Sequence, residues 1–232
     1  MTIALKPASD PDFRHVSAWI FDLDHTLYTL DAEKQAAMEE RICVFVQRHF
    51  GIAREPAWDI QKRYLREHGS TLAGLAKHHD VDQDAYHDFV NDIEAMELRE
   101  NVPLRLALQR LPGQRFLFTN NCGRYGKRVL EVLGVGDLFD GIVDAALLGA
   151  APKPAASAYE TLVAETGATP AHMALFDDSV RNLVPAHALG MTTVWFNNGG
   201  GQSHWRLERQ SDAIDYETDD LVRFLQSIRI SI

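Results

Sequence analysis

Two carboxylates two residues apart, Asp22 and Asp24, follow a short apolar run from Trp19 to Phe21 and precede a hydroxyl at Thr26. Packing alone does not explain such an ending, because a carboxylate is costly to bury without a partner. Two later apolar runs end in polar residues of matching chemistry. Phe116 to Phe118 leads into Thr119, Asn120 and Asn121, and Met173 to Phe176 leads into Asp177, Asp178 and Ser179. Between them Lys153 is held between Pro152 and Pro154. Four carboxylates brought close together cannot all stay ionised without a cation. Oxygen ligands with room for waters suit Mg²⁺. Lys153 and the Thr119 hydroxyl then suit an anion, and phosphate is the natural one beside Mg²⁺. An Asp held against a metal can attack phosphorus. A second Asp two residues on can protonate the leaving oxygen and later activate water. Each segment alone has a plainer reading: an Asx turn at Asp22, a helix cap at Asp177–Ser179, a solvated loop lysine at 153. Three such endings in chain order make coincidence the weaker explanation.

These residues meet only if the strands are parallel and end on one edge, where open α/β sheets bind ligands. The periodicity supports that. Helices are expected at 104–111, 124–133 (stopped by Gly134), 154–166 and 181–189, alternating with strands at 116–119, a weak one at 141–143, 173–176 and 192–196. Thr218 is expected to cap a last helix. The alternation implies a parallel, doubly wound sheet with helices on both faces. Residues 31–100 differ and show no convincing strand. A first helix carries Ala37, Met38, Ile42, Phe45 and Val46, and further helices follow at 56–68 and 71–79. A fourth is capped by Asp82, with Tyr86, Phe89, Val90 and Ile93 on its apolar face. Residues 1–14 read as a loosely ordered lead-in, and Gly199–Gly201 as a flexible loop.

The 232 residues, 46% hydrophobic and 24% charged, form an ordinary globular composition. The formal net charge of −10 argues against nucleic-acid and acidic-membrane surfaces. It leaves open an anionic small substrate at a site with its own cation. Cys43 and Cys122 lack metal spacing, so a reduced, cytoplasmic setting is expected. No signal peptide or membrane-spanning run is recognised. Cys122 reads as a small filler residue, since the sequence places no His near it. The spacing of His68, His78, His79 and His87 fits no zinc pattern.

The stretches Phe21–Tyr28, Phe118–Asn120, Lys153–Pro154 and Phe176–Asn182 resemble, in order, the four motifs of the haloacid dehalogenase-like superfamily. The likeness covers about residues 17–197. Met38–Ile42, Gly69–Leu75 with Lys77–His79, and Gly190–Val194 resemble its pyrimidine 5′-nucleotidase group. The resemblance implies a Rossmann-like core from 1–30 and 101–232, with a small all-helical cap inserted at 31–100. It implies hydrolysis of a nucleoside monophosphate, UMP or CMP. The expected partner is a small phosphorylated metabolite, with a monomer or homodimer and neither nucleic acid nor membrane.

Carried over by position, Asp22 is the nucleophile and Asp24 the general acid/base. Thr119, Asn120 and Lys153 hold the phosphoryl group. Mg²⁺ is bound by Asp22, the Asp24 carbonyl and Asp178, with Asp177 ligating through water or orienting its neighbour. His25 stands where many relatives have Asn. Base recognition falls to the cap, with Tyr64, Ser70 and Thr71 as candidates; packing within the cap is the rival account of Tyr64. A phosphomutase or a phosphatase for another ester, such as a sugar phosphate, is the nearest alternative. A dehalogenase is disfavoured because carbon–halogen displacement needs no second Asp. A non-catalytic phosphate-binding module is the remote alternative.

Overall fold

The computed structural model describes residues 11–91, 97–149, 151–197 and 212–231. Among these, six strands form one all-parallel sheet: β1 (Ala18–Phe21), β2 (Gln114–Phe118), β3 (Gly141–Val143), β4 (Met173–Asp177), β5 (Thr192–Phe196) and β6 (Tyr216–Thr218). Their order is β3-β2-β1-β4-β5-β6, so the first strand is central and the order reverses beside it. Helices α5 (Val102–Gln109), α6 (Gly123–Val132), α7 (Ala145–Leu148), α8 (Ala156–Thr166), α9 (Val180–Ala188) and α10 (Leu221–Ser227) complete this unit. The fold is the Rossmann-like arrangement expected, with helices on both faces.

Strand β1 shows why two apolar layers are required. Its side chains alternate between faces. Trp19 and Phe21 join Phe13, Leu108, Phe176 and Phe224 on one side, while Ala18 and Ile20 join Phe118, Leu162 and Leu175 on the other. Each large side chain fully buried this way contributes about 1.5–3 kcal/mol. The register pairs Phe21 with Leu117 on one flank and with Phe176 on the other. Asp22, Phe118 and Asp177 therefore arrive at one level on the carboxyl edge.

Between β1 and α5 lies a helical unit: α1 (Ala32–Phe50), α2 (Arg54–His68), α3 (Thr71–His78) and α4 (Gln83–Val90). Asp31 caps α1 by accepting from the Lys34 amide at 2.9 Å, and Gly51, at φ 64°, ends it. Asp82 caps α4 as expected, accepting from Ala85 N at 2.9 Å. The unit has its own apolar cluster of Cys43, Val46, Tyr64, Leu75, Tyr86 and Val90.

Two local expectations are corrected. The lead-in is fixed from residue 11 onward: Phe13 is fully buried and its amide donates to Arg229 O at 2.8 Å. An aromatic side chain so close to a sheet edge finds a place against Trp19 and Phe224. Thr218 ends β6 rather than capping the last helix. Asp220 is the cap, accepting from Arg223 N at 2.9 Å, while Thr218 Oγ1 accepts from Asp220 N at 3.1 Å. β6 was not expected because Tyr216, Glu217 and Thr218 make no apolar run, unlike the Ile142–Val143 pair of the equally short β3. Ile93 and the Gly199–Gly201 loop lie outside the described residues.

Candidate active site

Each strand end supplies one part of the site. Asp22 follows β1, is almost fully buried, and is tied to the sheet by its amide, which donates to Phe176 O at 2.9 Å. Thr119 follows β2, and its amide donates to Val143 O at 3.0 Å. Asp177 ends β4 and has no exposure. His25, directly after Asp24 and before Thr26, has φ 64°. Asn, Asp and His are the side chains most often found in that left-handed region. His25 therefore suits the backbone path at this turn.

Lys153 is the centre of the arrangement. Its ammonium donates to Asp22 Oδ1, Asp177 Oδ2 and Phe118 O, each at 2.8 Å. Its backbone is pinned by Asn120, whose Oδ1 accepts from Lys153 N at 2.8 Å and whose Nδ2 donates to Lys153 O at 3.0 Å. The Asn120 side chain is thus committed to Lys153, which leaves its backbone amide for any ligand. Burial pulls the Lys153 ammonium down, but Asp177 and Asp22 outweigh burial and hold it above its ordinary range.

Asp177 is saturated. Besides Lys153 it accepts from Ser179 N at 2.9 Å and from Asn182 Nδ2 at 2.9 and 3.1 Å. Asp178, half-buried, lies beside it. Carboxylate oxygens of Asp22, Asp177 and Asp178 approach within 4.8 Å of one another. Burial, then the charge of Asp177, pushes Asp178 well above the carboxylate range. Burial likewise raises Asp22, against the pull of Lys153, to about 7. Hard oxygen donors that cannot all ionise together fit a divalent cation such as Mg²⁺. Among the described residues this is the one acidic, His or Cys cluster with such spacing.

Asp24 is held differently. Its Oδ1 accepts from the Tyr28 hydroxyl and, at 3.2 Å, from the Tyr125 hydroxyl; its Oδ2 accepts from Asn121 Nδ2 at 3.3 Å. The two phenol oxygens are 2.6 Å apart. Burial and the Asp24 charge push both tyrosines well above their ordinary value, so both remain donors. Thr26 Oγ1 reaches Asp22 Oδ2 at 3.4 Å, and Thr119 Oγ1 accepts from Asn121 N at 3.0 Å. Tyr28, Tyr125 and Asn182 were not singled out by sequence, and Asn121 was named only as part of the second strand's polar ending. Tyr28 and Asn182 lie inside recognised stretches, whereas Tyr125 carries no local signal.

The remaining sequence candidates sit within the helical unit. Tyr64 is buried, packs against Gly74, and its hydroxyl pairs with His79 Nε2 at 2.7 Å. Ser70 caps α3 through Ala73 N at 3.0 Å, and Thr71 donates to Gln61 O at 3.3 Å. His68 and His78 face each other at 3.0 Å. His87 lines a cleft of about 390 Å³ that Cys122 also lines, a neighbour the sequence did not place there. Burial pushes the Cys122 thiol up, so it stays protonated. Cys43 and Cys122 are free thiols. No helix among the described residues is long and apolar enough to cross a membrane.

The family model of the haloacid dehalogenase-like hydrolases matches residues 16–190, which takes in all three strand ends and Lys153. The chain belongs to this family. As a haloacid dehalogenase-like hydrolase it is 28% identical over 204 residues to "Phosphate metabolism protein 8" of Saccharomyces cerevisiae, a match covering 80% of this chain. The chain spans about 62% of that relative's length. Its fold is similar to a phosphatase of the family from Thermococcus onnurineus, with TM-score 0.62 at 18% identity, covering 92% of this chain and 100% of that one. It is also similar to L-2-haloacid dehalogenase from Xanthobacter autotrophicus, with TM-score 0.57 at 16% identity, covering 91% and 97%. Family members with different chemistry thus share this sheet, and the side chains at its edge must separate them.

Proposed function

We propose that this hydrolase is a Mg²⁺-dependent phosphomonoesterase that works through an aspartyl-phosphate and acts on pyrimidine nucleoside monophosphates, UMP or CMP. The observation that carries the reading is the pairing of two unlike carboxylates on one strand end. Asp22 is buried against a lysine. Asp24, two residues on, is held by three neutral donors. Carbon–halogen displacement has no use for the second.

Asp22 is assigned the attack. Its carboxylate oxygen forms a bond to phosphorus as the bond from phosphorus to the ester oxygen breaks. Asp24 gives its proton to that departing oxygen, releasing the alcohol. Asp24, now ionised, takes a proton from water, whose oxygen attacks phosphorus. The bond to Asp22 breaks, inorganic phosphate leaves, and both carboxyl groups return to their starting states. Lys153 and Thr119 orient the phosphoryl oxygens, with the Asn120 amide. Asp22, Asp178 and the Asp24 carbonyl would hold Mg²⁺, which neutralises charge on the phosphoryl group when bound. Asp177 is assigned to orient Lys153, because its oxygens are already engaged. We assign residues 31–100 as the cap and the source of substrate choice, over a core of 1–30 and 101–232. A relative named for phosphate metabolism agrees with this chemistry.

The test is a phosphate-release screen over nucleoside monophosphates and sugar phosphates with Mg²⁺. UMP and CMP are expected to lead, and Asp22→Asn to lower release on the order of 10³-fold or more. A flat profile sinks the pyrimidine assignment. Unchanged release in Asp22→Asn sinks the nucleophile.

A further inference from the structure

One hydrogen-bonded path joins the helical unit to the site. Asn91 ends α4, where its amide donates to His87 O at 3.0 Å. Its Nδ2 reaches Asn121 Oδ1 at 2.8 Å and His87 Nδ1 at 3.3 Å. Asn121 Nδ2 in turn donates to Asp24 Oδ2 at 3.3 Å. The path is directional. Asn121 Oδ1 also accepts from Cys122 N at 3.1 Å, so the oxygen of this amide faces two donors and its nitrogen faces a carboxylate. Exchanging the two ends would set like against like at every contact. The Asn121 backbone is fixed as well: its amide donates to Thr119 Oγ1 at 3.0 Å, and its carbonyl accepts from Ala145 N at 3.1 Å. His87 is buried and offers Nδ1 as the acceptor, which requires the neutral ring.

Asp24 receives both tyrosine hydroxyls on Oδ1. Asn121 meets the other oxygen, so it decides how the plane of this carboxyl group is turned. Arg124 on α6 also pairs with Asp84 and Asp88 of α4. All three are exposed, and such pairs contribute little.

We propose that Asn121 is a positioning residue that aims the Asp24 carboxyl group at the leaving oxygen, and that Asn91 makes this aim depend on the seating of the cap. The inference rests on Asp24 being the acid. Its consequence is a coupling: a substrate that holds α4 in place also aligns the proton donor.

The experiment compares two esters with Mg²⁺. 4-Nitrophenyl phosphate releases a phenolate that needs no proton. UMP, or the best alkyl monophosphate in the screen, releases an alkoxide that does. Asn91→Asp keeps the shape of the side chain but replaces the donor with an acceptor. It is expected to lower the first-turnover rate of alcohol release from the alkyl ester, followed by rapid quench, about three- to tenfold, with first-turnover release of 4-nitrophenolate nearly unchanged; the later attack of water needs Asp24 with either ester and stands outside the comparison. Asn121→Ala is expected to show the same split, and the double variant to be no worse than Asn121→Ala alone. Thermal melting of each variant checks that the fold is intact. Equal losses on both esters overturn the positioning role. A split in Asn121→Ala without one in Asn91→Asp overturns the dependence on the cap. If Asp24→Asn itself shows no split, the acid assignment fails and both readings go with it. If Asp24→Asn splits and neither asparagine variant does, only the present inference fails.

Discussion

Lys153→Met tests the electrostatic centre of the site most directly. Methionine keeps most of the stem volume and removes the charge. The ammonium it replaces touches three oxygens at 2.8 Å, two of them on carboxylates. Without it the pocket carries one negative charge too many. That charge can stay, at several kcal/mol in a buried site, or the pocket can take up one proton. The second route sets the ceiling. An aspartate ordinarily releases its proton at 3.8. At about 1.4 kcal/mol per pH unit, keeping that proton at pH 7 costs about 4 kcal/mol. Losing a buried ammonium also removes its own desolvation, so the expected deficit is about 3–4 kcal/mol. The sign with pH follows. The folded variant binds a proton that the unfolded chain has released above 3.8, so its stability falls as pH rises and recovers as pH falls. The deficit against wild type should shrink by about 1.4 kcal/mol per unit, falling to about 1 kcal/mol or less near pH 5. Urea denaturation of both proteins with EDTA, across pH 5 to 8, measures it. A deficit that is constant or grows in acid would refute the charge account and leave packing as the role of the lysine.

Tyr28→Phe and Tyr125→Phe are each expected to cost about 1–3 kcal/mol, because each takes a donor away from the Asp24 carboxyl group. Measured in the same denaturation assay, the double variant should cost less than their sum, since the two hydroxyls share Asp24 Oδ1 and each other. Additive losses would mean that they act separately. Gly74→Ala would place a methyl group 2.3 Å from Tyr64 Cγ. The overlap costs about 1–3 kcal/mol, and a gain in helix propensity of about 1 kcal/mol offsets it in part, so calorimetry should record a lower Tm. Burial holds His87 below its ordinary value of 6.5. Stability tied to its neutral form is full above 6.5 and is lost as pH falls through the lower folded value. The Tm gap between wild type and His87→Asn should therefore narrow on acidification from pH 7 to 5, and a gap that is independent of pH would contradict this.

The strand ends were legible because of what their residue types cost. Asp22, Thr119, Asp177 and Asp178 sit where apolar runs stop, and a parallel sheet delivers such stops to one edge. Lys153 was legible from its two flanking prolines and its place between the second and third endings. The partners of these groups were not. Tyr125 meets Asp24 only after α6 packs onto the sheet, and nothing near residue 125 marks it as different from any buried helix aromatic. The Asn120 side chain looked available for a ligand, but its use on the Lys153 backbone depends on a loop 33 residues away. Phe13 lay in a stretch rich in polar and proline residues, where composition outweighed one aromatic. In each case the missing information was a distance between segments, which local spacing does not contain.

Synthesis gives the strand order one more meaning. β1 is central, and both strands that pair with it are made later: β2 begins at Gln114 and β4 at Met173. A growing chain on the ribosome therefore exposes its most apolar strand, unpaired, while about a hundred further residues are added. The apolar cluster of the helical unit, by contrast, is closed among residues 43–90 and needs nothing that comes after it. The second unit to emerge is the first that can fold, and it stands beside β1 through the interval in which that strand is vulnerable. Nascent chains stalled before residue 114 should accordingly resist protease across α1–α4 and be cut at Trp19–Phe21.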